Sequence, residues 1–278
     1  MKHLVILAGG ASTRMKAASN AQLTKAQLTT ANAGQKGLIV LEGDQRPMLD
    51  YLIKNAAQAG YSEVVLITGK NQGPFAKVYG NQDWNHKHLG VRIHLAMQHL
   101  ASHRVKPWGT ADALQQALEQ IGELRLSEFA VCNCDNLYSV QALSSLKKTA
   151  IPNALIAYDR NGLDFDEERI SKFAAMLFSD DFELKEIVEK PTIDSLEKYR
   201  DATGTLRVSM NLFKFNGPDI YPALMACEEH PIRKEKELPT ALLYMIQKGV
   251  VVKGIPLAEH VPDLTIKEDI AVFKKHIK

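Results

Sequence analysis

Three segments of this chain combine residue types and spacings that could handle phosphates. Leu7-Ala8-Gly9-Gly10-Ala11-Ser12-Thr13-Arg14 closes a short apolar run with two glycines and ends in a cation. Glycines let a backbone approach a ligand closely, successive N–H groups can cradle phosphates, and an arginine can neutralise them. The spacing is neither the G-x-G-x-x-G dinucleotide fingerprint nor a P-loop, which would end in Lys followed by Ser or Thr. A tight strand-to-helix turn would use the same residues. The second segment, Asn133-Cys134-Asp135-Asn136, follows the apolar run Phe129–Cys132. A carboxylate at the carboxyl end of a buried strand can hold Mg²⁺, which keeps few protein ligands and shares substrate phosphates; it can also simply cap a turn. The third is Gln98 with Pro107-Trp108-Gly109-Thr110-Ala111-Asp112-Ala113-Leu114. A glutamine can read a base edge through two hydrogen bonds, and a glycine before a helix leaves room for a flat ring. An ordinary helix N-terminus looks the same.

The elements that would position these segments alternate. Leu4–Leu7, Val64–Thr68, Val91–Leu95 and Phe129–Cys132 read as buried strands. Between them, Met48, Leu49, Leu52, Ile53, Ala56 and Ala57 repeat at helical spacing, with Pro47 for the first turn and Gly60 for the end. Thr110 can cap a second helix carrying Leu114, Ala117, Leu118 and Ile121. The stretch Lys16–Gln35, rich in Ala, Thr, Asn and Gln, reads as a long loop. In the second half, Ala154–Tyr158, Ala174–Phe178, Leu184–Val188, Arg207–Phe215 and Val250–Ile255 read as strands. Several lie too close together for helical crossovers, so some must pair antiparallel. Helices are expected to start near Pro239 and near Lys267, the latter with Ile270, Phe273 and Ile277 inward. The fold class is therefore α/β: a Rossmann-like, mostly parallel mixed sheet with helices on both faces. With no Pro/Gly/Ser linker in evidence, 1–278 reads as a single domain.

A length of 278 residues, 45% hydrophobic and 24% charged, suits one large α/β domain. A formal net charge of +2 argues against a broad grip on nucleic acid. No apolar run approaches the length of a membrane span, and the apolar start stops too soon at Gly9-Gly10 for a signal peptide. Three cysteines cannot all pair, so a reduced, cytoplasmic protein is expected. His99 with His103, His86 with His88, and Cys132 with Cys134 each lack further partners for a metal site. The runs Asp164–Glu168 and Arg233–Glu237 read as solvated surface.

Taken together, the motifs resemble those of the sugar-1-phosphate nucleotidyltransferases, the nucleoside-diphosphate-sugar pyrophosphorylases. Leu7–Arg14 is similar to their L-A-G-G-x-G-T-R. Lys36-Gly37-Leu38 and Pro47-Met48-Leu49 resemble K-P-L-L and P-M-L, and Gly109–Leu114 resembles G-T-A-G/D-A-L. Asn133–Asn136 is similar to G-D-N, Glu189-Lys190-Pro191 to E-K-P, and Asp263–Ile270 to D-x-x-T-x-E-D-L. The resemblance implies transfer of a nucleotidyl group from an NTP to a sugar 1-phosphate, with release of pyrophosphate, about 1–140 forming the nucleotide-binding half and about 141–278 the sugar-binding half. It implies that Leu7, Ala8, Gly9 and Gly10 cradle the nucleoside, and that Gln98 and Gly109 contact the base. Arg14 and Lys36 would meet the triphosphate, Asp135 and Asp263 would hold Mg²⁺, and Glu189, Lys190 and Asn211 would meet the sugar phosphate. Members often form dimers or tetramers. Ser12 and Cys134 stand where the family has glycine, and Lys16–Gln35 is longer than usual. No hexapeptide repeat is visible, so an appended β-helix acetyltransferase is not expected. Two other readings stay open: a same-fold enzyme acting on a non-sugar phosphate or alcohol, and a non-catalytic nucleotide- or sugar-phosphate-binding regulator.

Overall fold

The computed structural model describes residues 1–41, 46–102 and 104–277. Ten strands form one sheet: β1 His3–Leu7, β2 Glu63–Thr68, β3 Arg92–Met97, β4 Glu128–Asn133, β5 Ala154–Asp159, β6 Ala174–Phe178, β7 Leu184–Val188, β8 Arg207–Ser209, β9 Phe213–Asn216 and β10 Lys253–Leu257. The order is β3-β2-β1-β4-β9-β5-β8-β6-β7, with β10 beside β5. β3, β2, β1 and β4 pair in parallel, and β1, β2 and β4 carry the continuous apolar runs that burial on both faces favours. β9 enters antiparallel between β4 and β5, and β8, β6 and β7 continue antiparallel. Strands from both halves of the chain thus share one sheet.

Alternation along β1 splits the core. Leu4 and Ile6 pack on one face, and Val5 on the other. The first face is covered by Leu49, Leu52 and Ile53 of the helix Met48–Gln58 (α1) and by Leu143 and Leu146 of Val140–Lys148 (α3). The second face is covered by Leu114 and Leu118 of Thr110–Gln120 (α2), Leu224 of Gly217–Ala226 (α4) and Leu242 of Leu238–Gln247 (α5). No helix among the described residues is long and apolar enough to cross a membrane.

Four local expectations change. Lys16–Gln35 is not a plain loop, because Lys25–Asn32 is a helix closed at its start by a reciprocal capping box between Thr24 and Gln27. That helix buries only Gln27 and Ala31, so it carries almost no apolar stripe to read. Thr110 does not cap α2. Gly109 holds the cap position, and the Thr110 hydroxyl accepts instead from the Leu238 N–H at 2.9 Å. Arg207–Phe215 is two strands, broken where Asn211 turns to a φ of 57°. The strand expected from Val250 begins at Lys253. Two short helices, Gly73–Tyr79 and Gln82–Leu89, add to the expected elements.

Candidate active site

Parallel pairing sets Leu7 of β1 beside Asn133 of β4, so the glycine turn and the Asp135 turn leave the sheet at the same edge. Ligand sites of open α/β sheets gather at such an edge. Two adjoining cavities of about 230 Å³ each open there, sharing Leu7, Gly10, Thr110 and Asn133. One is lined further by Ser12, Arg14, Lys36, Cys134 and Asp135. The other is lined by Gln98, Gly109, Glu189, Asn211, Glu235 and Glu237.

The glycine turn divides its labour. A side chain at Gly9 would press on the Thr68–Gly69 backbone, at 3.0 Å from the Gly69 nitrogen, whereas one at Gly10 would meet nothing within 4 Å. Gly10 therefore leaves open the space a ligand would fill. Ser12 sits in the left-handed region, at φ 52° and ψ 37°, the geometry for which glycine is best suited. Ser12→Gly should raise stability by up to about 1 kcal/mol, because relief of roughly 1–2 kcal/mol of backbone strain outweighs the added unfolded-state entropy. Urea unfolding measures this. A loss of stability would mean that the hydroxyl, 3.4 Å from the Gly10 carbonyl, matters more than the strain.

Lys36 is 8% exposed and donates from Nζ to Asp135 Oδ2 at 2.8 Å. Arg14 is exposed at the mouth of the same cavity. Asp263 is brought next to Asp135 by main-chain pairing: Leu264 N–H donates to Asp135 O at 2.8 Å, and Asn136 bridges Asp263. Burial and the charge of Asp135 push the Asp263 carboxyl above its ordinary range. Oδ2 of Asp135 is taken by Lys36, and Oδ2 of Asp263 by Arg169 and Thr265. Oδ1 of each has no hydrogen-bond partner among the described residues. Two crowded carboxylates with a spare oxygen apiece fit a hard divalent cation. Among the described residues no group of three or more His, Cys, Asp or Glu could hold a metal, so such a cation would take its other ligands from phosphates and water.

The base end differs from expectation. Gln98, 2% exposed, donates from Nε2 to Gly109 O at 3.0 Å and to Asp112 Oδ2 at 2.7 Å. Its amide donors are spent, so it can offer a ligand only its Oε1, not a donor–acceptor pair. Asp112 is in turn held by Gln116 at 3.0 Å. Gly109, at φ 104°, is required by packing as well as by any ligand: a Cβ there would collide with the Lys236 main chain.

At the far end, Glu189 is paired with Arg233, which also pairs with Glu237. Lys106 pairs with Glu235 at 3.0 Å. The run Arg233–Glu237, expected to be plain surface, thus supplies part of the cleft wall. It is stitched to Trp108–Ala111 by Lys236 N–H to Trp108 O at 2.7 Å and Ala111 N–H to Lys236 O at 3.0 Å. Asn211 lines this end with its left-handed backbone. Lys190 does not line either cavity; its side chain is exposed and its φ is 50°. Arg169, Arg233 and Glu237 are candidates that sequence reasoning missed, and Asp112, inside the Gly109–Leu114 motif, was given no role. For Arg233 and Glu237 the mixed signs of 233–237 were the visible signal.

Burial and the neighbouring Glu189 raise the Glu237 carboxyl to about 7, despite Arg233. The folded state then holds a proton that the unfolded state has already lost between roughly pH 4.5 and 7. Stability should therefore fall as pH rises through that window. Glu237→Gln should flatten this part of a Tm-against-pH curve; an unchanged slope would reject the assignment.

Among the described residues, the cysteines and histidines add no second centre. Cys132, Cys134 and Cys227 are buried free thiols, and burial with the Asp135 charge pushes Cys134 up to about 12. His103 lies outside the described residues. His88 stacks on Trp84 at 4.8 Å.

Comparison with known proteins bears on the fold and the family. Three curated relatives from Staphylococcus epidermidis, each described as bifunctional protein GlmU, are 27% identical over 145 residues. That match covers 52% of this chain and 25% of theirs, so it spans about a quarter of the length of those relatives. A solved structure, UDP-glucose pyrophosphorylase complexed with UDP-glucose, superposes with a TM-score of 0.71 at 18% identity, covering 99% of this chain and 98% of that one. At that identity the likeness establishes the shared fold, the mixed, mostly parallel sheet of nucleotide-diphospho-sugar transferases. The profile of the family described as nucleotidyl transferase matches residues 3–253, and the chain belongs to that family.

Proposed function

We propose that the protein moves a nucleotidyl group from an NTP to a sugar 1-phosphate and releases pyrophosphate. The observation that carries this reading is the continuous cleft. Arg14, Lys36 and Asp135 line one end, and Gln98, Asn211 and Glu189 the other; Asp263 lies outside that lining and is tied to the Asp135–Asn136 turn by the main chain.

The sugar phosphate is already anionic at neutral pH, so no serine, cysteine or histidine is needed to activate it. An oxygen of the acceptor phosphate forms a bond to the α-phosphorus. The bond from that phosphorus to its bridging oxygen breaks, and pyrophosphate leaves with the electron pair. The protein's task is alignment and charge screening. Arg14 and Lys36 would draw negative charge from the triphosphate. The Gly10 turn would admit the nucleoside, and Gln98 Oε1 would accept from the base; the imide N–H of uracil or thymine meets that requirement. Mg²⁺ held by Asp135 and Asp263 would screen the phosphates and lower the cost of charge build-up. Glu189 and Asn211 would hold the acceptor's hydroxyls. Three buried free thiols fit a reducing cytoplasm, where NTPs are supplied.

A second reading is favoured by the acceptor end, where Glu189, Glu235 and Glu237 outnumber the cations Arg233 and Lys106 that pair with them: an acceptor phosphate that bears an amine. The test is pyrophosphate release with Mg²⁺ across the NTPs and a panel of sugar 1-phosphates, including amino sugars, and aminoalkyl phosphates. Release confined to one pair names both substrates. Nucleotide binding without release on any acceptor would instead favour a regulator.

A further inference from the structure

Arg169 lies outside every motif that suggested the site, yet it grips Asp263, one of the two carboxylates read as the cation's ligands. It ends a short helical turn, Glu167–Ile170, whose start is capped by Asp166: Arg169 N–H donates to Asp166 Oδ1 at 2.7 Å. Its guanidinium sits over the Phe165 ring, 4.6 Å from the centroid, and Phe165 packs edge-on against Phe173 and His260. So placed, Nη2 donates to Asp263 Oδ2 at 2.7 Å and to Asp263 O at 2.8 Å, while Nη1 donates to Asp269 Oδ1 at 2.7 Å. Asp269 Oδ2 accepts from the backbone N–H groups of Thr265, at 2.6 Å, and Ile266, at 2.7 Å. The fork thus fixes both the side chain and the main chain of Asp263, and ties its loop to the helix that follows. Thr265 Oγ1 completes the set on Oδ2 at 2.6 Å.

We propose that Arg169 is a positioning residue that holds Asp263 with Oδ2 occupied and Oδ1 left to serve a divalent cation beside Asp135. This rests on the reading of Asp135 and Asp263 as the cation's ligands. Two effects of removing Arg169 oppose each other. Loss of a positive charge favours cation binding; loss of the two-point grip on Asp263, and of its tie to Asp269, disfavours it. The grip should win, because a planar fork that serves two carboxylates and a carbonyl at once has no substitute among the described contacts of Asp263. Hydrogen-bond partners of metal-bound carboxylates are commonly worth 10–100-fold in metal affinity.

The test is a Mn²⁺ titration of the free protein, followed by electron paramagnetic resonance. It compares parent, Asp263→Asn, Arg169→Met and Arg169→Lys, with thermal melts to confirm folding. Arg169→Met should raise the Mn²⁺ Kd by roughly 10–100-fold. Arg169→Lys keeps the charge but not the fork; it should fold and still raise the Kd, by less. A folded Arg169→Lys with parental affinity, or an Arg169→Met that binds more tightly than the parent, would overturn the role of Arg169 while Asp263→Asn remains weakened. Equal affinity in parent and Asp263→Asn would instead remove the cation reading itself, and this proposal with it.

Discussion

Asp135→Asn should lower the rate of pyrophosphate release at least about 10³-fold, the equivalent of roughly 4 kcal/mol of lost transition-state stabilisation. The substitution keeps the shape of the side chain and removes its charge. Two consequences follow from the geometry. The carboxylate pair proposed to hold the cation loses one of its two members, which the backbone bridge between Asn136 and Asp263 brings close together. Lys36, 8% exposed, loses the only ion-pair partner it has among the described residues. Breaking a fully buried pair costs about 3–5 kcal/mol of stability. The Asp135 side chain is 23% exposed, so the cost here should be smaller and the protein should still fold. Rates measured alongside thermal melts and NTP binding separate the two effects. A folded variant that retains a tenth or more of parental activity would remove Asp135 from the chemistry.

The sheet was legible because its first strands are continuous apolar runs ended by glycine or by polar turns, a pattern that burial on both faces imposes. Leu4–Leu7 and Val64–Thr68 are clear cases. The capped helix Lys25–Asn32 was missed because its signal is polar: the Thr24–Gln27 box was present, but no apolar period followed it. The break at Asn211 was missed because a single left-handed residue between Met210 and Leu212, both buried, leaves the apolar pattern almost unbroken. At the site, residues inside short contiguous motifs were legible: the Gly9–Gly10 turn, Lys36, Asp135 and Glu189. Their partners were not. Arg169 reaches Asp263 across 94 positions, and Arg233 reaches Glu189 across 44. Such pairings are products of the fold, and neither arginine sits in a run that looks different from solvated surface. Gln98 shows the same limit from the other side. Its identity suggested base recognition, but only the fold shows Asp112 holding its amide and leaving one acceptor for a ligand.

Arg14→Met should reduce kcat by about 10²–10³-fold, or roughly 3–4 kcal/mol, while leaving the melting temperature nearly unchanged. That combination separates a residue kept for substrate from one kept for folding. Arg14 is exposed, and its guanidinium makes no hydrogen bond or ion pair among the described residues, so removing it breaks no protein contact. The short helix it belongs to is anchored by Met15, which is fully buried with Ala31, Ile39 and Leu264. The backbone therefore holds a positive charge in the cavity that the Lys36–Asp135 pair also lines, where a triphosphate could neutralise it. Positive charge already in place at that point costs no reorganisation when the bond to the leaving group breaks. Arg14→Lys should recover part of the rate, since an ammonium supplies charge without the fork. If Arg14→Met keeps kcat within about fivefold of the parent, the triphosphate does not lie along Ser12, Arg14 and Lys36. The reaction would then have to run elsewhere in the cleft, or the protein would bind nucleotide without turning it over.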